Sequence, residues 1–213
     1  MLDKDRTFGV ELEVVYKGNR RGENYYNRET LARSLNEAGV DLTSRYMQKG
    51  WSFARDGSIR GRGTEIRSPI MTFPTGLAEM KKVFEIVENQ CRANYSCGFH
   101  VHIGADGITP VGAERLLDSY ANIQDILQSI LPITRWDNRY CRIHRAGQYQ
   151  HDSLHGFPSL PNRYYAVNME ALNSHGTVEF RQYAGTVNGE LATAWAEMCM
   201  GLYALSVEAE YTI

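Results

Sequence analysis

Five short stretches of the chain place a polar or charged residue, skip one, and place another: Glu11-Leu12-Glu13, Arg55-Asp56-Gly57-Ser58, Glu65-Ile66-Arg67, His100-Val101-His102 and Glu179-Phe180-Arg181. In four of them the skipped residue is Leu, Ile, Val or Phe. If these segments are β-strands, the polar pair faces one side and the apolar residue the other. Carboxylates are hard oxygen donors for Mg2+ or Mn2+, imidazoles add nitrogen ligands, and guanidiniums grip phosphate. Together they are the equipment of an enzyme that uses ATP.

Each piece has an ordinary explanation when taken singly. Glu11 and Glu13 could be a solvated strand edge, Glu65 with Arg67 and Glu179 with Arg181 could be surface salt bridges, and Asp56 could simply form a turn. His100 and His102 are a stronger signal, since Gly98 and Gly104 flank them and let a ligand approach the backbone. Five such pieces on one sheet face are hard to explain as five coincidences. Mixed oxygen and imidazole ligands also suit Zn2+ or Fe2+, but the surplus of carboxylates and the nearby arginines point to Mg2+ or Mn2+ with phosphate. Neither a G-x-x-x-x-G-K-[ST] loop nor a G-x-G-x-x-G turn after a strand is present, so the phosphate cradle must be built from the sheet itself.

The elements that must position these residues follow from periodicity. Residues 7–16 read as a strand, and Asn27 caps a helix to about Ala38 that buries Leu31 and Leu35 and ends at Gly39. The segment 17–25 is polar and Gly-containing, hence a loop. Residues 51–70 read as a hairpin, and a helix opens at Pro74 and Thr75 and runs to about Gln90. CGFHVHIG is a short strand, after which Thr109 and Pro110 start a helix reaching about Leu131, with Leu116, Leu117, Tyr120, Ile123, Ile126, Leu127 and Ile130 at helical spacing. The stretch 132–161 has no clear period and reads as a long functional loop. RYYAVNME and GTVEFRQYAG read as two further strands, and Asn188 caps a closing helix with Leu191, Trp195, Met198, Leu202 and Leu205 inside. Hairpins interspersed with helices predict an α+β fold: a curved, mostly antiparallel sheet with helices packed on its convex face and the polar pairs lining the other.

At 213 residues the chain can bury one good core, which predicts a single domain over residues 1–213. No apolar run is long enough to span a bilayer, and the N-terminus lacks the pattern of a signal peptide, so the expectation is a cytoplasmic protein with no membrane partner. Cys91, Cys97, Cys141 and Cys199 show no C-x-x-C spacing and are expected to be reduced thiols. A net charge of −2, from 23 basic and 25 acidic residues, argues against nucleic-acid binding by bulk charge. Only Lys4, Lys17, Lys49, Lys81 and Lys82 of those basic residues are lysines; the rest are arginines, which suits fixed two-pronged binding of carboxylate or phosphate, although genomic GC bias gives the same skew.

The ordered set FGVELE, DGSIRGRGTEIRSP, CGFHVHIG, RYYAVN and GTVEFRQYAGT, between residues 8 and 186, resembles the amidoligase family, which belongs with glutamine synthetase and glutamate-cysteine ligase in the carboxylate-amine ligase fold. Glutamine synthetase has an E-x-E strand, an H-x-H strand and an E-F-R strand, and all three spacings recur here. The resemblance implies a glutamine synthetase-like catalytic domain binding ATP with two or three Mg2+ or Mn2+ ions. ATP phosphorylates a substrate carboxylate, and an amine displaces phosphate from the acyl phosphate to leave an amide; the partners are a small-molecule or peptide carboxylate and an amine. Carried over by position, the resemblance makes Glu13 a ligand of the metal nearer the substrate, with Glu65 and Asp56 beside it. Glu11, His100 and Glu179 bind the metal bridging the ATP phosphates, His102 contacts a phosphate oxygen, and Arg181 stabilises the transferring phosphoryl group or holds the substrate carboxylate. Glu13, Glu65 and Arg181 are thereby the catalytic candidates. Arg67, Arg163, Asn168 and Arg142 are further candidates for binding the nucleotide.

The same family resemblance has departures: glutamine synthetase has a separate N-terminal domain and a longer chain, and its ammonia-binding and substrate-binding loops find no match here. Two other readings stand beside the ligase. One is a metal-dependent hydrolase or oxygenase centred on His100 and His102, with Asp106 completing an H-x-H-x-x-x-D run; the other is a non-catalytic nucleotide-binding protein. The loop RWDNRYCRIHRAGQYQH sets Arg135, Arg139, Arg142 and Arg145 against one acid, Asp137, and could grip an anionic acceptor or nucleotide, or be a solvated face.

Overall fold

Leu12, Ile66, Val101 and Phe180, the residues skipped between the polar pairs, are all wholly buried, so the alternation expected of strands is what organises the core. Each such side chain contributes about 1.5–3 kcal/mol of burial, which fixes the strand faces because a one-residue slip would expose it. The structure is a computed structural model that describes residues 4–18, 26–43, 49–136, 138–145, 148–151 and 156–207. Residues 19–25 of the expected 17–25 loop, and Asp137, lie outside these.

The strands are β1 (Thr7–Tyr16), β2 (Ser52–Ala54), β3 (Gly63–Arg67), β4 (Met71–Thr72), β5 (Cys91–Arg92), β6 (Phe99–Gly104), β7 (Gln150–His151), β8 (Pro158–Ser159), β9 (Val167–Asn168) and β10 (Thr177–Phe180). The helices are α1 (Arg28–Glu37), α2 (Thr75–Gln90), α3 (Pro110–Ser129), α4 (Ala171–His175) and α5 (Gly189–Val207), with a 3-10 turn at Ile133–Arg135. The fold is α+β with antiparallel strand pairing, as expected. No described helix is long and apolar enough to cross a membrane. Cys91, Cys97, Cys141 and Cys199 are buried and stand outside any disulfide.

The described residues cluster into two compact units. The N-terminal unit holds Thr7–Phe99 and Ala184–Trp195. In it β1 pairs with β3, β4 and β5, and β2 with β3. Asn27 closes a capping box with Thr30 at the start of α1, which buries Leu31 and Leu35. α2 buries Leu77, Met80, Phe84 and Val87. Gly185 donates its N–H to the Cys97 carbonyl at 2.8 Å, and a Cβ there would stand 2.5 Å from that of Cys97, so only glycine fits.

The C-terminal unit contains the described residues of Met1–Arg6, His100–Tyr183 and Ala196–Ile213. Here β10 pairs with β6 on one side and β9 on the other, and β7 and β8 form a separate two-stranded ladder. Thr109 caps α3 through the Gly112 N–H, with Pro110 in the first turn. The eight-residue strand expected at RYYAVNME shrinks to Val167–Asn168, because the chain turns at once into α4. Gly176, at φ 65°, ends α4 in the left-handed conformation and releases the chain into β10.

Two helix faces differ from expectation. In α3, Leu116, Leu117, Tyr120 and Leu127 are buried, whereas Ile126 and Ile130 are exposed. In α5, Trp195 is buried as expected, but Leu191 and Leu205 face solvent, and the buried stripe is Ala192, Ala196, Cys199 and Tyr203.

Candidate functional site

In the N-terminal unit, the register of β1 against β3 sets Glu13 directly opposite Glu65 and Glu11 opposite Arg67. β2 brings Ala54 opposite Glu65, so the turn that follows carries Asp56 to the same end of the hairpin. One carboxylate oxygen each from Glu13, Asp56 and Glu65 lies within 4.8 Å of the others. Glu13 and Glu65 are both buried, and like charges directly opposite on neighbouring strands destabilise a sheet. Each carboxylate is held in place. The Gly98 N–H donates to Glu13 Oε2 at 2.6 Å, and the Ser58 N–H donates to Asp56 Oδ1 at 2.6 Å. Asp56 is therefore both the expected turn former and a member of the cluster. Ser58 Oγ also reaches toward Glu13 Oε1, at 3.5 Å.

Arg67 Nη2 pairs with Glu65 Oε2 at 2.5 Å, and its Nε lies 3.3 Å from Glu11 Oε1. Even so, the Glu65 carboxyl is pushed up to about 8. Burial is the main cause, and Glu11 and Asp56 add repulsion that Arg67 only partly offsets. Near neutral pH the cluster thus keeps a proton where a divalent cation, which carries more charge, would stabilise the ionised form. Three hard oxygen donors at this spacing fit Mg2+ or Mn2+.

The C-terminal unit builds a different constellation around Glu179, which β10 sets opposite His102 on β6 and opposite Asn168 on β9. Glu179 Oε1 lies 3.3 Å from His100 Nδ1 and 3.8 Å from His102 Nε2, and accepts a hydrogen bond from Arg181 Nη1. Its Oε2 accepts from Asn168 Nδ2 at 2.7 Å. His102 Nδ1 sits 3.0 Å from Thr177 Oγ1 on β10, which fixes the ring. Arg181 lies just past β10, where its Nε donates to the Tyr140 carbonyl at 3.3 Å and its guanidinium stands over the Tyr164 ring at 5.8 Å. Arg135 in turn donates to the carbonyls of Arg181 and Gln182. This buried arginine holds the strand end that aims Arg181.

The expected residues therefore gather within their own units. Glu13, Asp56 and Glu65 form a carboxylate cluster with Glu11 and Arg67 at its margin, and His100, His102, Asn168, Glu179 and Arg181 form the second constellation. Two candidates stand apart. Arg163 is exposed and stacks on Tyr164 at 5.3 Å, sharing that ring with Arg181. Arg142 is exposed on the 132–161 loop, and its side chain lines a hollow with Arg139 and Arg145. Asp106 is exposed in the turn after β6, and among the described residues it belongs to no trio of metal-ligating side chains, which removes the third ligand from the hydrolase reading.

Sequence reasoning did not find Thr177, Tyr140 or Tyr164, which orient ligands and arginines rather than carry charge to them, and it placed Arg135 among four loop arginines that could grip an anion, whereas this one is buried against backbone carbonyls. It also missed His144. This residue is buried on the loop, its Nε2 accepts the Val167 N–H at 2.9 Å, and burial pushes it down to about 4. Gln124 of α3 holds its backbone from both sides, at 2.6 and 2.9 Å. His144 is thus a neutral acceptor that pins β9, and with it Asn168.

Comparisons with known proteins agree with this architecture. No curated protein matches the chain. Among solved structures it is similar to a Plasmodium falciparum glutamine synthetase determined by cryo-electron microscopy, at 11% identity and TM-score 0.56, covering 99% of this chain and 53% of that one. It is also similar to GmaS in an ADP complex, at 15% identity and TM-score 0.51, covering 96% of this chain and 55% of that one. The chain spans about half the length of these two structures, and at such identities they establish the fold. The family model described as "Putative amidoligase enzyme" matches residues 4–159, which include both glutamates of β1, the hairpin with Glu65 and the two histidines of β6. A match over that much of the sequence, on a glutamine synthetase-type fold, makes this chain a member of the amidoligase family.

Proposed function

We propose that this protein is an ATP-dependent ligase that joins a carboxylate to an amine through an acyl phosphate, using two or three Mg2+ or Mn2+ ions, with residues 1–213 working as one cytoplasmic catalytic domain. The observation that carries this reading is the Glu13–Asp56–Glu65 cluster, in which two buried glutamates and the half-buried Asp56 bring three hard oxygen donors within 4.8 Å of one another. A second support is the arrangement around Glu179, where a carboxylate and two imidazoles stand beside a buried guanidinium.

Glu13, Asp56 and Glu65 would hold one cation, and Glu179 with His100 would supply ligands for another. Bound there, the ions would neutralise phosphate charge and align the reactants. One oxygen of the substrate carboxylate attacks the γ-phosphorus and ADP leaves. The amine then attacks the acyl carbon, phosphate leaves, and the nitrogen loses a proton. Arg181, fixed by Glu179, Tyr140 and the Tyr164 ring, has the donors to stabilise the transferring phosphoryl group. His102 and Arg67 would meet phosphate oxygens at the edge of each cluster, and Asn168 orients Glu179. Arg163, paired with Arg181 across Tyr164, would bind the nucleotide from outside.

The test is to incubate the protein with ATP, Mg2+ and pools of acids, amines and amino acids, and to measure ADP release and the masses of new products. ADP formation that requires both an acid and an amine supports the ligase. No ADP above background in any pool would leave a binding role, and stoichiometric tightly bound iron or zinc without ATP binding would replace the reading with hydrolase or oxygenase chemistry.

A further inference from the structure

The loop after α3 carries a charge cluster that the chemistry above leaves unused. Arg139, Arg142 and Arg145, with Asn138, Gln148 and Tyr165, line a hollow of about 360 Å3. Among the described residues, no carboxylate forms an ion pair with any of the three guanidiniums. Like charges on a free loop would simply spread apart in water, but here the backbone is pinned. The Arg142 N–H donates to the Tyr164 carbonyl at 2.9 Å, and the Arg142 carbonyl accepts from the Ala166 N–H at 2.8 Å. Gln148 bonds the Arg145 backbone in both directions, at 3.1 Å each, and its side chain also reaches the Tyr165 hydroxyl at 3.1 Å. Arg139 stacks over Tyr140 at 4.8 Å, and Tyr140 is the residue whose carbonyl receives Arg181. The hollow is therefore next in line to the guanidinium expected at the reacting group.

We propose that this hollow binds the acid substrate through carboxylates other than the one that reacts, so that the acid is a polycarboxylate with at least two anionic groups besides its reacting end. The inference rests on the ligase reading. Three planar guanidiniums match carboxylates in a two-pronged geometry, and a ligand of comparable negative charge relieves what repulsion solvent leaves between them. A nucleotide is the poorer match, because its phosphates arrive with cations already bound, and none of the described residues lining the hollow is a carboxylate that could share them. Arg142 is thereby assigned to the acid rather than to the nucleotide.

Calorimetric titration of the intact protein with propane-1,2,3-tricarboxylate, glutarate, acetate and Mg-ADP tests this, alongside an Arg142→Ala/Arg145→Ala double variant. We expect the tricarboxylate to bind the unaltered protein at least about tenfold more tightly than acetate, with glutarate between, and the double variant to lose about tenfold or more of the tricarboxylate affinity while keeping that for Mg-ADP. Equal affinities for the three acids overturn the proposal, whatever the variant does. So does a variant that weakens Mg-ADP instead, which would make the hollow a nucleotide site. The two readings fail separately: ADP formation with monocarboxylates that the double variant leaves unchanged removes this inference and keeps the ligase. Tight tricarboxylate binding with no ADP in any pool removes the ligase, and with it the substrate role, leaving only an anion site.

Discussion

Replacing Glu65 by Gln should make the metal-free protein more stable and make it insensitive to Mg2+. The Glu65 carboxyl is raised from an ordinary 4.5 to about 8 by burial and by the neighbouring Glu11 and Asp56. A raised carboxyl means that the folded protein holds a proton the unfolded chain has already released. Stability from this group is therefore complete below about pH 4.5 and is lost as pH rises toward 8, at about 1.4 kcal/mol per pH unit. Between about pH 5 and pH 8 the loss comes to about 3 kcal/mol, a substantial part of the 5–15 kcal/mol that holds a typical domain together. Gln has the same shape, can still accept from Arg67 and carries no charge, so the variant should lack that slope. The two proteins should have similar stability at about pH 5 and differ by about 3 kcal/mol in favour of the variant at about pH 8. Urea denaturation followed by tryptophan fluorescence across this range measures the difference directly.

Adding Mg2+ completes the experiment. A cation bound only by the folded state stabilises it by about 2.7 kcal/mol at one hundred times its dissociation constant, so Mg2+ should restore most of what the parent lost at high pH and do little for the variant. The reasoning is refuted if the variant is no more stable than the parent at about pH 8, or if it keeps the parent's slope. Either result would mean that Glu65 is not the group facing uncompensated charge.

His144 should act in the opposite sense. Its pKa is lowered to about 4, so the unfolded chain takes up a proton that the folded protein refuses, and stability should fall by about 3 kcal/mol as pH drops from 6.5 to 4. His144→Ala should cost a similar amount at neutral pH, through the cavity and the unpaired Val167 N–H, and should flatten that acid limb in the same urea titrations. Glu13→Gln and Arg181→Lys should each lower ADP formation by about a hundredfold or more while the denaturation midpoint is kept, because each removes charge or geometry needed in phosphoryl transfer rather than packing. A variant retaining most of its activity would remove that residue from the mechanism. Gly185→Ala should destabilise by about 1–3 kcal/mol, since the new Cβ would stand 2.5 Å from that of Cys97; an unchanged melting temperature would contradict the close approach.

Local signals were the ones legible in the chain. Asn27 with Thr30, and Thr109 with Pro110, are caps whose partners lie three or fewer residues away, and both helices start where those residues stand. The alternation of Leu12, Ile66, Val101 and Phe180 with charged neighbours is equally local, and it predicted which side chains share a face. What could not be read was set by partners far along the chain. His144 meets Val167 and Gln124 through contacts spanning 23 and 20 residues, so a loop without periodicity turns out to be the brace of β9. The Glu-x-Arg spacing is the instructive case between these extremes. The spacing suits either a cation ligand followed by an anion ligand or a plain salt bridge, and because the two side chains share a face they find each other: Arg67 pairs with Glu65, and Arg181 with Glu179. Each arginine partly neutralises the glutamate at the heart of its cluster, and at Glu65 burial and repulsion still outweigh it. A divalent cation competing for the same carboxylate would weaken the hold on the guanidinium and leave its donors to an incoming anion. Under the proposed ligase reading, one spacing would serve both as a paired charge and, with a cation bound, as separate cation and anion ligands.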